Sequence, residues 1–187
     1  MGLHGEKGFS LIELIIVVTV IGIMAAVSVP AILQWLPNVR LKAAARDLYS
    51  NMQTMRMLAI KTNKTTAIFF FPSNNNYKLC HDYNRTTYNC DRWGSTVDLT
   101  SYKSGVGYGH GSATKQANAA GSTFSGASAD NVSYSFGNNI ALFTPRGFAV
   151  SGGYVYFDNV NHDVSYAVGS LNSGAILLKK WQGSSWK

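Results

Sequence analysis

From Phe9 onward the chain is apolar almost without relief: Phe9-Ser10-Leu11-Ile12-Glu13 leads into Leu14–Val39, which carries no charged side chain. A hydrocarbon core about 30 Å thick needs roughly 20 apolar residues in a helix, so this stretch is long enough to cross a bilayer. A secretory signal would have a shorter apolar core, followed by a small-residue cleavage site and a polar mature chain. Ala25-Ala26-Val27 imitates such a site, yet the apolar run continues through Leu36, which predicts an anchor that is kept. Pro30 and Pro37 lie in the run; each lacks an N–H and crowds the preceding turn, so a helix break or kink is expected at Pro30 and again near Pro37. Beyond Pro37 the pattern becomes amphipathic. Ala44, Leu48, Met52, Met55 and Ala59 recur at spacings of three and four, which predicts a helix to about Ile60. Arg40, Lys42, Arg46 and Arg56 lie mostly off that stripe, so the stripe is the seam against a following sheet, with the Met residues as core filler.

From Thr65 the apolar positions fall in short bursts. Thr66–Phe71 reads as a strand, Pro72–Asn76 as a turn and Tyr77–Cys80 as the returning strand. Val132–Phe136, Ile140–Phe143, Tyr154–Phe157, Val164–Val168 and Ala175–Trp181 are further strand candidates, separated by Gly, Asn and Asp and rich in the aromatic and β-branched residues that strands favour. Between Ser101 and Ala129 the chain turns to Gly, Ser and Ala with few apolar anchors, which predicts a long mobile loop. One long helix followed only by strands is an α+β order.

Glu13 is the anomaly in the anchor. An acidic side chain inside an apolar span costs about 2.5–3.5 kcal/mol on insertion scales, which makes it a functional candidate by default. Its surroundings sharpen that. Lys7-Gly8-Phe9-Ser10-Leu11-Ile12-Glu13 resembles the prepilin leader junction of type IV pilins and type II secretion pseudopilins, in which a basic residue and Gly precede Phe and Glu follows four positions on. The resemblance implies cleavage between Gly8 and Phe9 on the cytoplasmic side by a prepilin peptidase, N-methylation of Phe9, and a Glu13 that meets the terminal amine of a neighbouring subunit during filament assembly. Such a pair would compensate a carboxylate that neither lipid nor a packed bundle solvates. Pilin anchors of this kind often carry a Pro where Pro30 stands.

The head narrows the resemblance. The strand–turn–strand of Ile68–Leu79, the later Leu142-Phe143-Thr144-Pro145-Arg146-Gly147 and a last strand opening at Gly174 are similar to the GspH/FimT group of pseudopilins and minor pilins. The implied organisation is a leader at 1–8, a membrane and assembly helix at 9–36, a periplasmic amphipathic half at 37–64, and a β-rich head at 65–187 with its loop near 101–129. The fold class is α+β: a long N-terminal membrane-spanning helix, the pilin spine, packed on a C-terminal antiparallel sheet domain. DNA-binding minor pilins of the group open the last strand with Gly-Arg-x-Arg. Here that stretch is Gly174-Ala175-Ile176-Leu177, with Lys179 and Lys180 further along, so the arginines that would meet phosphate are absent. Cys80 and Cys90 fit one disulfide in an oxidising periplasm. A metal site from Cys80, His81 and Cys90, and two unbonded thiols, are the alternatives.

Composition changes this picture little. At 46% hydrophobic and 13% charged residues the chain is no disordered segment, and its 187 residues hold one cored domain plus an extra element. A net charge of +7 makes nucleic acid or an anionic membrane surface conceivable partners. Enzymatic readings find little purchase. There are nine Asp and Glu residues in all, with Glu6 and Glu13 the only glutamates. His81-Asp82 and His162-Asp163 read as surface pairs in turns, and Gly105–Gly109 is a weak phosphate-loop imitation. The expectation is a subunit without catalytic residues, metal or cofactor. It is held in the bacterial inner membrane by a single pass, with its head in the periplasm, and then joins a filament. Its partners would be other pilins or pseudopilins, the prepilin peptidase and N-methyltransferase, and the inner-membrane assembly platform. Three functions stay open: a type II secretion pseudopilin, a type IV minor pilin, and a tethered nucleic-acid-binding module.

Overall fold

The computed structural model describes residues 9–118, 120–124, 131–134 and 139–187, with Ala31 as backbone alone. The element order is α1 (Leu11–Thr62), β1 (Thr66–Phe71), β2 (Asn76–Asn84), β3 (Asn89–Asp98), β4 (Gly107–Tyr108), β5 (Ile140–Phe143), β6 (Gly153–Asp158), β7 (Ser165–Ser170) and β8 (Ile176–Lys180). The chain falls into two units that meet in sequence between Leu36 and Pro37.

The first unit is the apolar part of α1. The expected helix break at Pro30 is not seen: α1 is continuous through Pro30 and Pro37 over all 52 of its residues. A proline removes one N–H from the ladder, while the bonds of the turns on either side remain, and an uninterrupted apolar run offers no competing partner for the freed carbonyl.

In the second unit the stripe on α1 is the seam, as its spacing predicts. Leu41, Ala44, Ala45, Leu48, Met52, Met55 and Ala59 are all buried in the main core. The helix closes with Asn63 in the left-handed conformation and Lys64 N–H bonded to the Ala59 carbonyl (3.2 Å), a common way to satisfy the last carbonyls. The chain then folds straight back: the buried Thr66 hydroxyl donates to the Met55 carbonyl at 2.9 Å.

Two four-stranded antiparallel sheets complete the head. The first runs β3-β2-β1-β5, the second β4-β6-β7-β8. Their side chains alternate as pleated strands require. Ile68, Phe70, Ala141 and Phe143 join the helix-facing core, while Ala67, Cys80, Tyr83, Cys90, Ile140 and Leu142 form a separate cluster on the other face of the first sheet. In the second sheet Val155, Phe157, Tyr166, Val168 and Ile176 belong to the main core. Tyr154, Tyr156 and Ala167 form a third cluster with Ala117, backed by Phe124 and Trp186. β6 and β7 are therefore buried on both faces.

Three expectations need correcting. β3 pairs along all of β2 although no strand was expected at 89–98. Val132 makes only an isolated bridge to Val155, and residues 135–136 of that expected strand lie outside the described residues. The described part of 101–129 is packed rather than open: Val106, Ala113 and Ala117 are buried, β4 pairs with β6, and the Tyr156 hydroxyl accepts from the Ala117 N–H at 2.8 Å. Small residues anchor it, because they let backbone approach the sheet closely.

Candidate assembly and processing site

The junction region begins at the start of α1. Phe9 is 83% exposed, and Leu14 N–H donates to the Ser10 carbonyl at 3.2 Å, so helical bonding starts one residue after Phe9. Glu13 falls in the first turn, where a carboxylate is favoured by the unsatisfied N–H groups of the helix N-terminus. Leu11–Pro30 is long and apolar enough to cross a membrane, and none of it is buried within the chain. So large an exposed apolar surface is unstable in water and requires lipid or other chains around it.

Within that span the other polar side chains are satisfied locally. Thr19 and Ser28 donate to carbonyls one turn back, Ile15 O at 2.7 Å and Met24 O at 2.8 Å. Glu13 has no such recourse: among the described residues it has no hydrogen bond or ion pair. A carboxylate in an apolar setting is costly unless a cation compensates it, and no cation meets Glu13 among the described residues. Gly8, the other side of the expected cleavage point, lies outside the described residues.

In the head, Cys80 and Cys90 are joined, with Cα atoms 5.9 Å apart, on adjacent strands β2 and β3. Bonded to each other, they are not thiolates available to a metal. Asp82, beside His81, pairs with Lys64 instead, and His162 meets Asp158 rather than its neighbour Asp163. Lys179 donates to the Ala117 carbonyl at 2.9 Å and sits 5.3 Å from the Tyr154 ring centre, so it serves the packing of Ala117 on the second sheet.

Several anchoring contacts had no sequence signal. Arg56 Nε donates to the Gly147 carbonyl at 2.9 Å, and Gly174 packs against that same carbonyl. On the helix seam, Asn51 donates to the Tyr77 hydroxyl at 2.8 Å. Burial there pushes the Tyr77 phenol up to about 12, outweighing the Asn51 hydrogen bond. Tyr102 is pushed up as well, first by burial and then by the hydrogen bond it gives to Asp47. On the far face of the first sheet, Phe69 packs on Trp93 with ring centres 5.0 Å apart, and Lys78 lies 4.2 Å over Trp93.

An apolar anchor that needs company, with one uncompensated carboxylate in its first turn, followed by an amphipathic helix seated on antiparallel sheets, defines a class: membrane-anchored filament subunits of the type IV pilin kind. Residues 3–29 match the prokaryotic N-terminal methylation motif. Residues 44–174 match the family described as type II transport protein GspH, and the chain belongs to that family. In fold it is similar to the crystal structure of the Pseudomonas aeruginosa (strain PAO1) type IV minor pilin FimU, at 12% identity over 80% of this chain and 94% of that one, with a TM-score of 0.52. A search of curated proteins gives no match. The protein is thus a minor pilin or pseudopilin, and its family implies processing by a prepilin peptidase and assembly with other pilins.

Proposed function

We propose that this chain is a non-enzymatic minor pseudopilin of a type II secretion pseudopilus, supporting protein secretion across the outer membrane. It enters the inner membrane with its head in the periplasm. A prepilin peptidase cleaves between Gly8 and Phe9, and Phe9 is then N-methylated. Glu13 pairs with the amine of a neighbouring subunit's first residue as the filament grows, and the assembly platform in the inner membrane drives that growth. The observation that carries this reading is the joining, in one chain, of the methylation motif at 3–29 to a GspH head over 44–174. The uncompensated Glu13 in an exposed apolar helix supplies the physical need for a filament partner.

A second reading, a minor pilin that primes a type IV pilus, draws on the likeness in fold to FimU. One experiment separates them: a clean deletion in the source bacterium, with the secreted proteins and the surface pili followed in parallel. Accumulation of exported proteins in the periplasm while pili persist is the expected result. Normal secretion with loss of pili or twitching would overturn the pseudopilin reading in favour of the second.

A further inference from the structure

A cleft of about 550 Å³ opens where β6 begins and β7 turns into β8, within the usual range for small-molecule sites of about 300–1,000 Å³. Its wall includes Gln116, Asn118, Ser133, Tyr154, Asn172 and Ser173, and every described residue lining it is uncharged, in a chain with 16 Lys and Arg residues. The cation nearby is committed elsewhere, since the Lys179 ammonium is bonded to the Ala117 carbonyl and lies over the Tyr154 ring.

The side-chain amide oxygens on the wall each accept one bond and keep a second lone pair. Asn172 Oδ1 accepts from Gly152 N–H at 2.5 Å, Asn118 Oδ1 from Ser122 N–H at 3.2 Å, and Gln116 Oε1 from the Asn118 amide at 3.2 Å. Ser133 Oγ accepts from Tyr154 N–H at 2.8 Å and donates to the Tyr154 carbonyl at 3.3 Å. The wall also offers donors: the NH₂ groups of Gln116 and Asn172 and the Tyr154 hydroxyl have no hydrogen-bond partner among the described residues. An apolar ligand would strip water from these donors without replacing it. An anion would find no cation to balance it. A ligand whose neutral oxygens both accept and donate can be met by these donors and by the second lone pairs of the wall's amide oxygens.

We propose that this cleft binds a neutral sugar, a mono- or disaccharide unit of a larger glycan, on the head of the subunit. The inference stands on the cleft alone and is independent of which filament the subunit joins. The test uses the full chain in a zwitterionic detergent free of sugar headgroups. Saturation-transfer NMR is recorded with methyl glycosides of glucose, galactose and N-acetylglucosamine at millimolar concentration, and with inorganic phosphate as an ionic comparison. The expected result is transfer to at least one glycoside, insensitive to added salt. It should disappear in Ser173→Trp, which fills the mouth from an exposed turn, and weaken about tenfold in Gln116→Ala, the loss of one hydrogen bond. Should Ser173→Trp fail to fold, Gln116→Ala decides alone. No transfer to any glycoside, transfer unchanged in the variants, or salt-sensitive binding of phosphate in place of sugar would each overturn the proposal.

Discussion

Gly147 and Gly174 offer a controlled comparison, because both have positive φ (+78° and +82°) and both belong to the node fastened by Arg56. Alanine at either position takes on left-handed backbone strain of about 1–2 kcal/mol. The surroundings of the new methyl group differ between the two. At Gly147 an added Cβ would meet Ile60 Cδ1 at 2.8 Å, the free end of a half-exposed side chain that can rotate away. At Gly174 it would lie 1.9 Å from the Gly147 carbonyl oxygen and 3.0 Å from Arg56 Nε. Backbone cannot rotate aside, so the β7–β8 turn has to withdraw by more than about 1 Å, given ordinary Cβ contacts near 3.4 Å or more. Where the Gly147 carbonyl or Arg56 gives way instead, the 2.9 Å hydrogen bond between them opens, worth about 1.5–3 kcal/mol because its donor is charged. Gly147→Ala should therefore cost about 1–2 kcal/mol and Gly174→Ala about 3–5 kcal/mol. Urea unfolding of the full chain in detergent, followed by tryptophan fluorescence at constant m-value, measures both. Costs equal within about 1 kcal/mol would refute the reasoning, since the carbonyl overlap would then count for nothing.

Three further perturbations have outcomes set by the same structure. Replacing Cys80 and Cys90 together by Ser releases a loop of sequence separation 10, and should lower stability by roughly 3 kcal/mol in oxidising buffer; reductant on the native chain should reproduce the loss. The Tyr77 phenol titrates near 12 in the folded head against about 10 unfolded, so its contribution is fully present below pH 10 and fades as pH rises through 12. The rise from about 10 to about 12 corresponds to about 2–3 kcal/mol, and Tyr77→Phe should flatten that alkaline slope in a pH series of urea midpoints. Glu13→Ala should insert into membrane and be processed at Phe9 as the native chain is, yet fail to enter filaments; normal incorporation on immunoblots of sheared filaments would refute the pairing role.

How much of the fold was legible in the sequence varies with where side chains, rather than backbone, hold the structure. The anchor and the seam were plain, because Leu14–Val39 shows itself as an uncharged apolar run and the Ala44–Ala59 stripe by its period. Ile140–Phe143 and the aromatic strands β6 and β7 were visible for the same reason. β3 was not. Of its ten residues only Cys90 is buried, so the strand is held at the sheet edge by its ladder to β2, and a ladder leaves no mark on the hydrophobic pattern. The segment after Ser101 misled for the opposite reason. Its anchors Ala113 and Ala117 are small, and composition cannot distinguish an alanine pressed against a sheet from one in a loop.

The candidate site divides along the same line. Glu13 announced itself, since a charge inside an apolar run is costly wherever the chain folds. The Arg56–Gly147–Gly174 node did not, for its acceptor is a main-chain carbonyl 91 residues from the arginine, and every residue has one. Even so, Gly174 carried a trace of it. The position resembles the opening glycine of the group's last strand, where the expectation centred on the arginines that might follow. The geometry gives the glycine a reason that needs no ligand: with φ at +82° and a carbonyl 1.9 Å from where Cβ would stand, other residues do not fit. A glycine at this position is then a requirement of the head's packing, separable from nucleic-acid binding, and its presence without the arginines is what a subunit keeping the fold alone would show.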